Sequence, residues 1–231
     1  MSAKLSVVTL DGPAGVGKTT LARRLAENLG LCYLDTGAMF RSLAIRLGPD
    51  AEELSDNALR DRCRRWTFTL QGTGTATRLF CNDERIGNEI RTEAVGMLAS
   101  KIARLPVVRE VLSAAQRSMG ERFALVAEGR DMGTVVFPDA RYKFFLDASA
   151  EVRALRRMRD EANQEKNVEL ADLTEQIRRR DAMDRNRAIA PLRPAEDALI
   201  IDTSEMDINE VLGAMLHHIS INGGMGDIQA S

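Results

Sequence analysis

Residues Gly12 to Thr19 read GPAGVGKT, a Gly-x-x-x-x-Gly-Lys-Thr loop set between an apolar run and a helical one. Leu5-Ser6-Val7-Val8-Thr9-Leu10 has the character of a buried strand, and Thr19 to Leu29 places Leu21, Leu25 and Leu29 at helical spacing. A glycine loop between strand and helix turns backbone N–H groups toward a phosphate chain. Gly12, Pro13, Ala14, Gly15, Val16 and Gly17 would form that cradle. Lys18 would reach the outer phosphates, and Thr19, with Thr20 behind it, would offer a hydroxyl to Mg2+. The loop therefore predicts binding of a nucleoside triphosphate.

Two further groups of cations stand where a second phosphate could meet them. In open parallel sheets, ligands sit beyond the carboxyl ends of the strands. Past the second expected strand comes Asp35-Thr36-Gly37, with Arg41 one turn into the next helix; past the third comes Glu128-Gly129-Arg130-Asp131. Arginine donates paired hydrogen bonds to phosphate and stays charged at any working pH. A helix across 170–186 and beyond carries Arg178, Arg179, Arg180, Asp181, Asp184, Arg185 and Arg187, and its spacing puts Arg180, Asp184 and Arg187 on one face. That pattern fits a salt-bridged exposed helix and equally one arm of a lid over a phosphoryl group.

The elements that must position these groups alternate. Strands are expected at 5–10, 31–34, 124–127, 142–146 and 198–201, and helices at 19–29, 38–47, 54–65 (weakly), 89–119 (interrupted at Pro106), 149–162, 170–186 and 207–219. This predicts an α/β fold, a five-stranded parallel sheet covered on both faces. Trp66–Leu70 and Arg78–Cys81, separated by Gly72 and Gly74, predict a small antiparallel insertion at 66–86. The 231 residues carry a net charge of −2, which gives no general attraction to nucleic acid or membrane. Cys32, Cys63 and Cys81 are odd in number and lack metal-ligand spacing, so a disulfide framework is not expected. No apolar stretch approaches the length of a membrane span. The start runs straight into the first strand, leaving no room for a signal peptide. A cytoplasmic, monomeric enzyme is expected.

At these residues the chain resembles the bacterial cytidylate kinase family, from about Leu5 to His218. Asp35-Thr36-Gly37-Ala38-Met39-Phe40-Arg41 is similar to the family's acceptor-site segment, and Gly129-Arg130-Asp131-Met132-Gly133-Thr134 to its Gly-Arg-Asp signature. Glu89-Ile90-Arg91-Thr92, Pro106-x-x-Arg109, Arg180-Asp181, Asp184-Arg185-Asn186-Arg187 and Ala190-Pro191-Leu192 follow in order. The resemblance implies a single P-loop kinase domain that phosphorylates CMP and dCMP with ATP and Mg2+. Its core would be about 1–37, 107–150 and 188–222. The acceptor region would be about 38–106, the lid about 151–187, and 223–231 a disordered tail. It implies that Ser100, Arg109 and Asp131 read the cytosine, that Arg180 and Asp184 hold the ribose, and that Thr36, Arg41, Arg130 and Arg187 hold the acceptor phosphate. Lys18, Arg130 and Arg187 would be catalytic. Arg157, and with it Arg153 and Arg156, would approach ATP. Phe40 stands where the family more often has tyrosine, and Glu128 where it has aspartate; Met183 and Asn186 fall in a variable stretch. A phosphate-loop kinase acting on AMP, UMP or shikimate, and a nucleotide-dependent switch, remain the rival readings.

Overall fold

The computed structural model describes residues 6–159 and 169–223. In chain order the elements are β1 (Val7–Asp11), α1 (Lys18–Leu29), β2 (Cys32–Asp35), α2 (Thr36–Leu47), α3 (Asp56–Cys63), β3 (Phe68–Gln71), β4 (Arg78–Cys81), β5 (Glu84–Arg85), α4 (Glu93–Ile102), α5 (Pro106–Arg122), β6 (Leu125–Gly129), β7 (Tyr142–Asp147), α6 (Ala150–Arg159), α7 (Leu170–Asn186), β8 (Leu199–Asp202) and α8 (Ile208–Ile221). Five strands form one parallel sheet in the order β2-β6-β1-β7-β8. The expected α/β architecture is therefore present.

Strand pleat explains why two layers of helices are needed. Along β6, Leu125 and Ala127 enter one apolar cluster while Val126 enters the other, and all three are fully buried. The first cluster also takes residues of α2, α3, α4 and α5; the second takes α1 and α8. Each fully buried Leu or Val contributes roughly 1.5–3 kcal/mol, so both faces must be covered.

The insertion is a three-stranded antiparallel sheet, β3-β4-β5. Its last strand was not expected from the sequence; Asn82 and Asp83, both at positive φ, make the two-residue turn that creates it. This small sheet is fastened to the core: Gly74 N donates to Leu31 O (2.7 Å) and Thr75 N to Glu27 Oε2 (3.1 Å) at the end of α1.

Several boundaries differ from expectation for local reasons. The helical stretch expected from Glu89 begins instead at Glu93, after Thr92, whose hydroxyl caps it by accepting from Val95 N. Pro106 opens α5 rather than merely interrupting a helix, since a residue without N–H suits the first helical position. The helix at α7 stops at Asn186, so Arg187, expected on its face with Arg180 and Asp184, has left it in an extended conformation. The expected helix end at 160–162 and all of the expected tail beyond Gly223 lie outside the described residues. All three cysteines are buried thiols. Among the described residues no helix is long and apolar enough to cross a membrane.

Candidate active site

Every strand of the parallel sheet carries a carboxylate at its carboxyl end: Asp11, Asp35, Glu128 (one residue before the end), Asp147 and Asp202. Each is engaged by the segment that follows or crosses it. Asp11 accepts from the amides of Met132 (2.9 Å) and Gly133 (2.8 Å). Asp35 caps α2 through Ala38 N (2.8 Å) and pairs with Arg91 (2.8 Å). Glu128 accepts from the hydroxyls of Thr19 (3.2 Å) and Tyr33. These anchors set the loops that carry the cations.

The loop after β1 is shaped to admit an anion. Gly12, Gly15 and Gly17 all have positive φ. At Gly12 a side chain is further excluded, because a Cβ there would collide with the Leu146 carbonyl oxygen. α1 starts behind Gly17 without a side-chain cap, which leaves its first amides for a ligand. Lys18 is buried, and its Nζ donates to Pro13 O (2.6 Å) within the loop. Burial first, then the nearby Arg130, pulls its pKa well below the usual lysine value. A buried cation disfavoured in this way is stabilised when an anion arrives. Thr19 stands beside Glu128, and a hydroxyl next to a carboxylate is a donor set suited to a hard divalent cation such as Mg2+. Thr20 is exposed on the outer side of α1, lining a groove of about 360 Å³ with Thr19, Arg23 and Arg91.

Opposite the loop, three arginines converge. Arg130 Nε pairs with Asp184 Oδ2 at 2.9 Å. Arg41 donates to Ile90 O (3.1 Å) and Thr92 O (3.4 Å), and passes Gly96, where an added Cβ would lie 3.3 Å from its Nη2. Arg180 has a buried Nε with no hydrogen-bond partner. Its pKa is pushed down to about 10 by burial and then by Arg130. Burial also lowers Arg41, with Asp35 opposing. A buried donor without an acceptor, among cations that raise one another's energy, marks a place for a ligand oxygen. Thr36 Oγ1 is turned onto Glu128 O (2.6 Å), and Gly129 opposite must be glycine, since a Cβ would sit 2.9 Å from that hydroxyl.

A third cluster lies deeper. Asp131 accepts from Arg109 on Oδ2 and from Arg187 on Oδ1 (3.2 Å), with all three side chains almost fully buried. Arg187 also donates through Nε to Ala190 O, and Ala190 is held at φ 51. Arg109 lies over the Phe40 ring at 5.7 Å, which gives that phenylalanine a platform role without any hydroxyl. Asp131 precedes a single wide turn, Met132–Val136, of the i to i+5 kind that recurs at functional sites. Thus the sequence-derived residues Lys18, Thr19, Thr36, Arg41, Arg109, Arg130, Asp131, Arg180, Asp184 and Arg187 gather on one rim. Others stand differently. Ser100 Oγ donates within its own helix to Gly96 O (3.0 Å). Arg157 is tied to Glu93 (2.5 Å), linking α6 to α4. Arg153 is buried and braces the phosphate loop, donating to Ala14 O (3.1 Å) and to both oxygens of Asp181. Arg156 holds the loop after β8 through Thr203.

Sequence reasoning missed Asp11, Tyr33 and Glu93. Asp11 had one available signal: it is the last strand residue before the glycine loop. Burial outweighs its two amide hydrogen bonds and raises its pKa from 3.8 to about 6. The folded protein therefore keeps this proton at pH values where the unfolded chain has released it. The stability Asp11 contributes is full below about pH 4 and is lost as pH rises through 6, a change of about 3 kcal/mol. Urea unfolding of the wild type and Asp11→Asn across pH 3.5–7 should show this slope in the wild type alone; parallel curves would contradict it.

The chain is similar to known proteins over nearly all of its length. A family model described as cytidylate kinase matches residues 8–221. A cytidylate kinase of Nitratidesulfovibrio vulgaris strain Hildenborough is 62% identical over 96% of this chain and 96% of its own. One from Oleidesulfovibrio alaskensis is 54% identical over 91% and 96%, and one from Vibrio parahaemolyticus 47% over 95% and 97%.

Proposed function

We propose, for a chain that belongs to the cytidylate kinase family, that it transfers the terminal phosphoryl group of ATP to CMP and dCMP. The observation that carries this reading is the pairing of two anion sites on one rim. One is the uncapped glycine loop with Lys18; the other is the Arg41, Arg130 and Arg180 cluster with its partnerless buried donor. A switch needs only the first. The second gives an acceptor phosphate its place.

The acceptor is a phosphate monoester with a second pKa of about 6, so it is already largely dianionic at neutral pH and needs no general base. His217 and His218 on α8 agree with that, since one is exposed and the other packs edge-on against Phe144. What remains for the protein is alignment and charge stabilisation. The loop amides and Lys18 would hold the donor. Thr36, Arg41 and Arg130 would hold the acceptor phosphate, with Arg180 and Asp184 on the ribose. Asp131, steered by Arg109, would accept from the exocyclic amine of cytosine, with Ser100 nearby. Mg2+ held near Thr19 would neutralise charge on the donor's phosphates. Arg187, released in part from Asp131, would stabilise the moving group. Lys18, Arg41, Arg130 and Arg187 are each paired with a carboxylate or carbonyl, so binding would exchange those partners for phosphate oxygens, while the Arg180 Nε would gain its first acceptor.

Within the chain, 38–106 would act as the acceptor arm and 151–187 as the lid, with Arg157 on the lid side near ATP. Its buried unlinked thiols fit a reducing compartment such as the cytoplasm, its net charge of −2 gives no pull toward nucleic acid or membrane, and the enzyme would work as a monomer. The test is ADP formation from ATP and Mg2+ with CMP, dCMP, UMP, AMP or no acceptor. Rapid turnover is expected with CMP and dCMP. Equal ADP formation without any acceptor would overturn the reading.

A further inference from the structure

Glu128 uses its two oxygens differently. Oε2 accepts from Thr19 Oγ1 at 3.2 Å, and Oε1 accepts from the Tyr33 hydroxyl. Both residues are buried, Glu128 in β6 and Tyr33 in the neighbouring β2. The family's more usual aspartate is one methylene shorter, and the added length is what this side chain spends in reaching across β2 to a phenol. The Tyr33 ring is itself held, with Arg23 5.1 Å above it.

A threonine hydroxyl that ligates a cation must send its proton away from the metal so that a lone pair can face it. Glu128 Oε2 is the acceptor placed for that proton. A carboxylate fixed at one oxygen only could turn about its bond and lose the alignment. Partners of this kind, once removed, typically cost 10- to 100-fold in metal affinity.

The geometry points to Tyr33 as a positioning residue for the metal site: by pinning Glu128 Oε1 it aims Oε2 at the Thr19 proton, so the Thr19 oxygen is presented to Mg2+. This rests on Thr19 being the metal-facing hydroxyl. It gives Tyr33, which touches no reacting atom, a role that its place in a buried strand would hide.

The experiment titrates Mn2+ against the protein–ADP complex, reading free Mn2+ by electron paramagnetic resonance. Metal-free ADP affinity is measured separately in EDTA. Tyr33→Phe keeps the ring under Arg23 and removes only the hydroxyl. It is expected to weaken Mn2+ binding about 10-fold while leaving metal-free ADP affinity within about twofold. Glu128→Gln should weaken Mn2+ at least as much, and Tyr33→Phe added to it should change little more, because Tyr33 acts through Glu128. Additive losses, or a Tyr33→Phe titration superimposed on the wild type, would overturn the proposal. If wild-type protein holds Mn2+ no better than free ADP does, the metal assignment of Thr19 fails instead. Should Tyr33→Phe not fold, Glu128→Gln decides: unchanged Mn2+ affinity there sinks the proposal.

Discussion

Asp131→Ala should cost about 3–5 kcal/mol of stability and, separately, weaken CMP far more than ATP. The stability loss follows from what remains. Arg109 and Arg187 both lean on this one carboxylate, and all three side chains are nearly inaccessible to water. Removing the anion leaves two guanidinium groups facing each other without compensation. Urea unfolding measures that loss, and Asp131→Asn, which keeps the shape and an acceptor oxygen, should recover part of it. The binding effect has a different origin. Asp131 sits at the start of the wide turn over the acceptor side with its carboxylate on Arg109 and Arg187, and that turn meets the base of the glycine loop through Asp11 rather than through Asp131. Separate titrations with CMP and an ATP analogue distinguish the two. If both nucleotides weaken equally, Asp131 is a structural pivot and reads no base.

Arg187→Ala should lower turnover roughly 100- to 1,000-fold, the usual cost of one well-placed donor, about 2.7–4 kcal/mol of barrier. Here the fold should survive, because Asp131 keeps Arg109 as its partner. Arg187→Lys should rescue little. A single ammonium cannot serve the Ala190 carbonyl, the Asp131 carboxylate and a phosphate in turn, as a planar fork can. Steady-state kinetics beside a thermal melt check this; a folded variant with near-normal kcat would remove Arg187 from the chemistry.

What the sequence disclosed, and what it withheld, follows physical lines. The phosphate loop was legible because glycine spacing, strand and helix all sit within about 25 consecutive residues. Arg41 and Arg130 were legible because strand ends face one side of a parallel sheet. β4 was legible to the residue, Arg78–Cys81, because Gly72 and Gly74 punctuate the chain before it and strand character resumes there. Contacts made across the chain were not. Nothing local announces that Arg91 finds Asp35, 56 positions away, or that Gly96 exists to let Arg41 pass. The departure of Arg187 from its helix was invisible for a related reason. Three- and four-residue spacing continued through it, while its stop depends on the Ala190 carbonyl and on Asp131, 56 positions upstream. Asp11 fell between the expected strand and the glycine loop, and burial and amide partners cannot be read from a hydrophobic period.

The buried Arg153 joins three parts that a reaction cycle would otherwise have to bring into step: it grips Ala14 in the glycine loop, Ala148 after β7 and Asp181 on α7. One guanidinium thus works as a fulcrum. Any swing of α6 and α7 about it would be least beside the glycine loop. Loosening Asp181, which touches the glycine loop only through Arg153, would therefore be expected to surface in the activation entropy rather than in affinity.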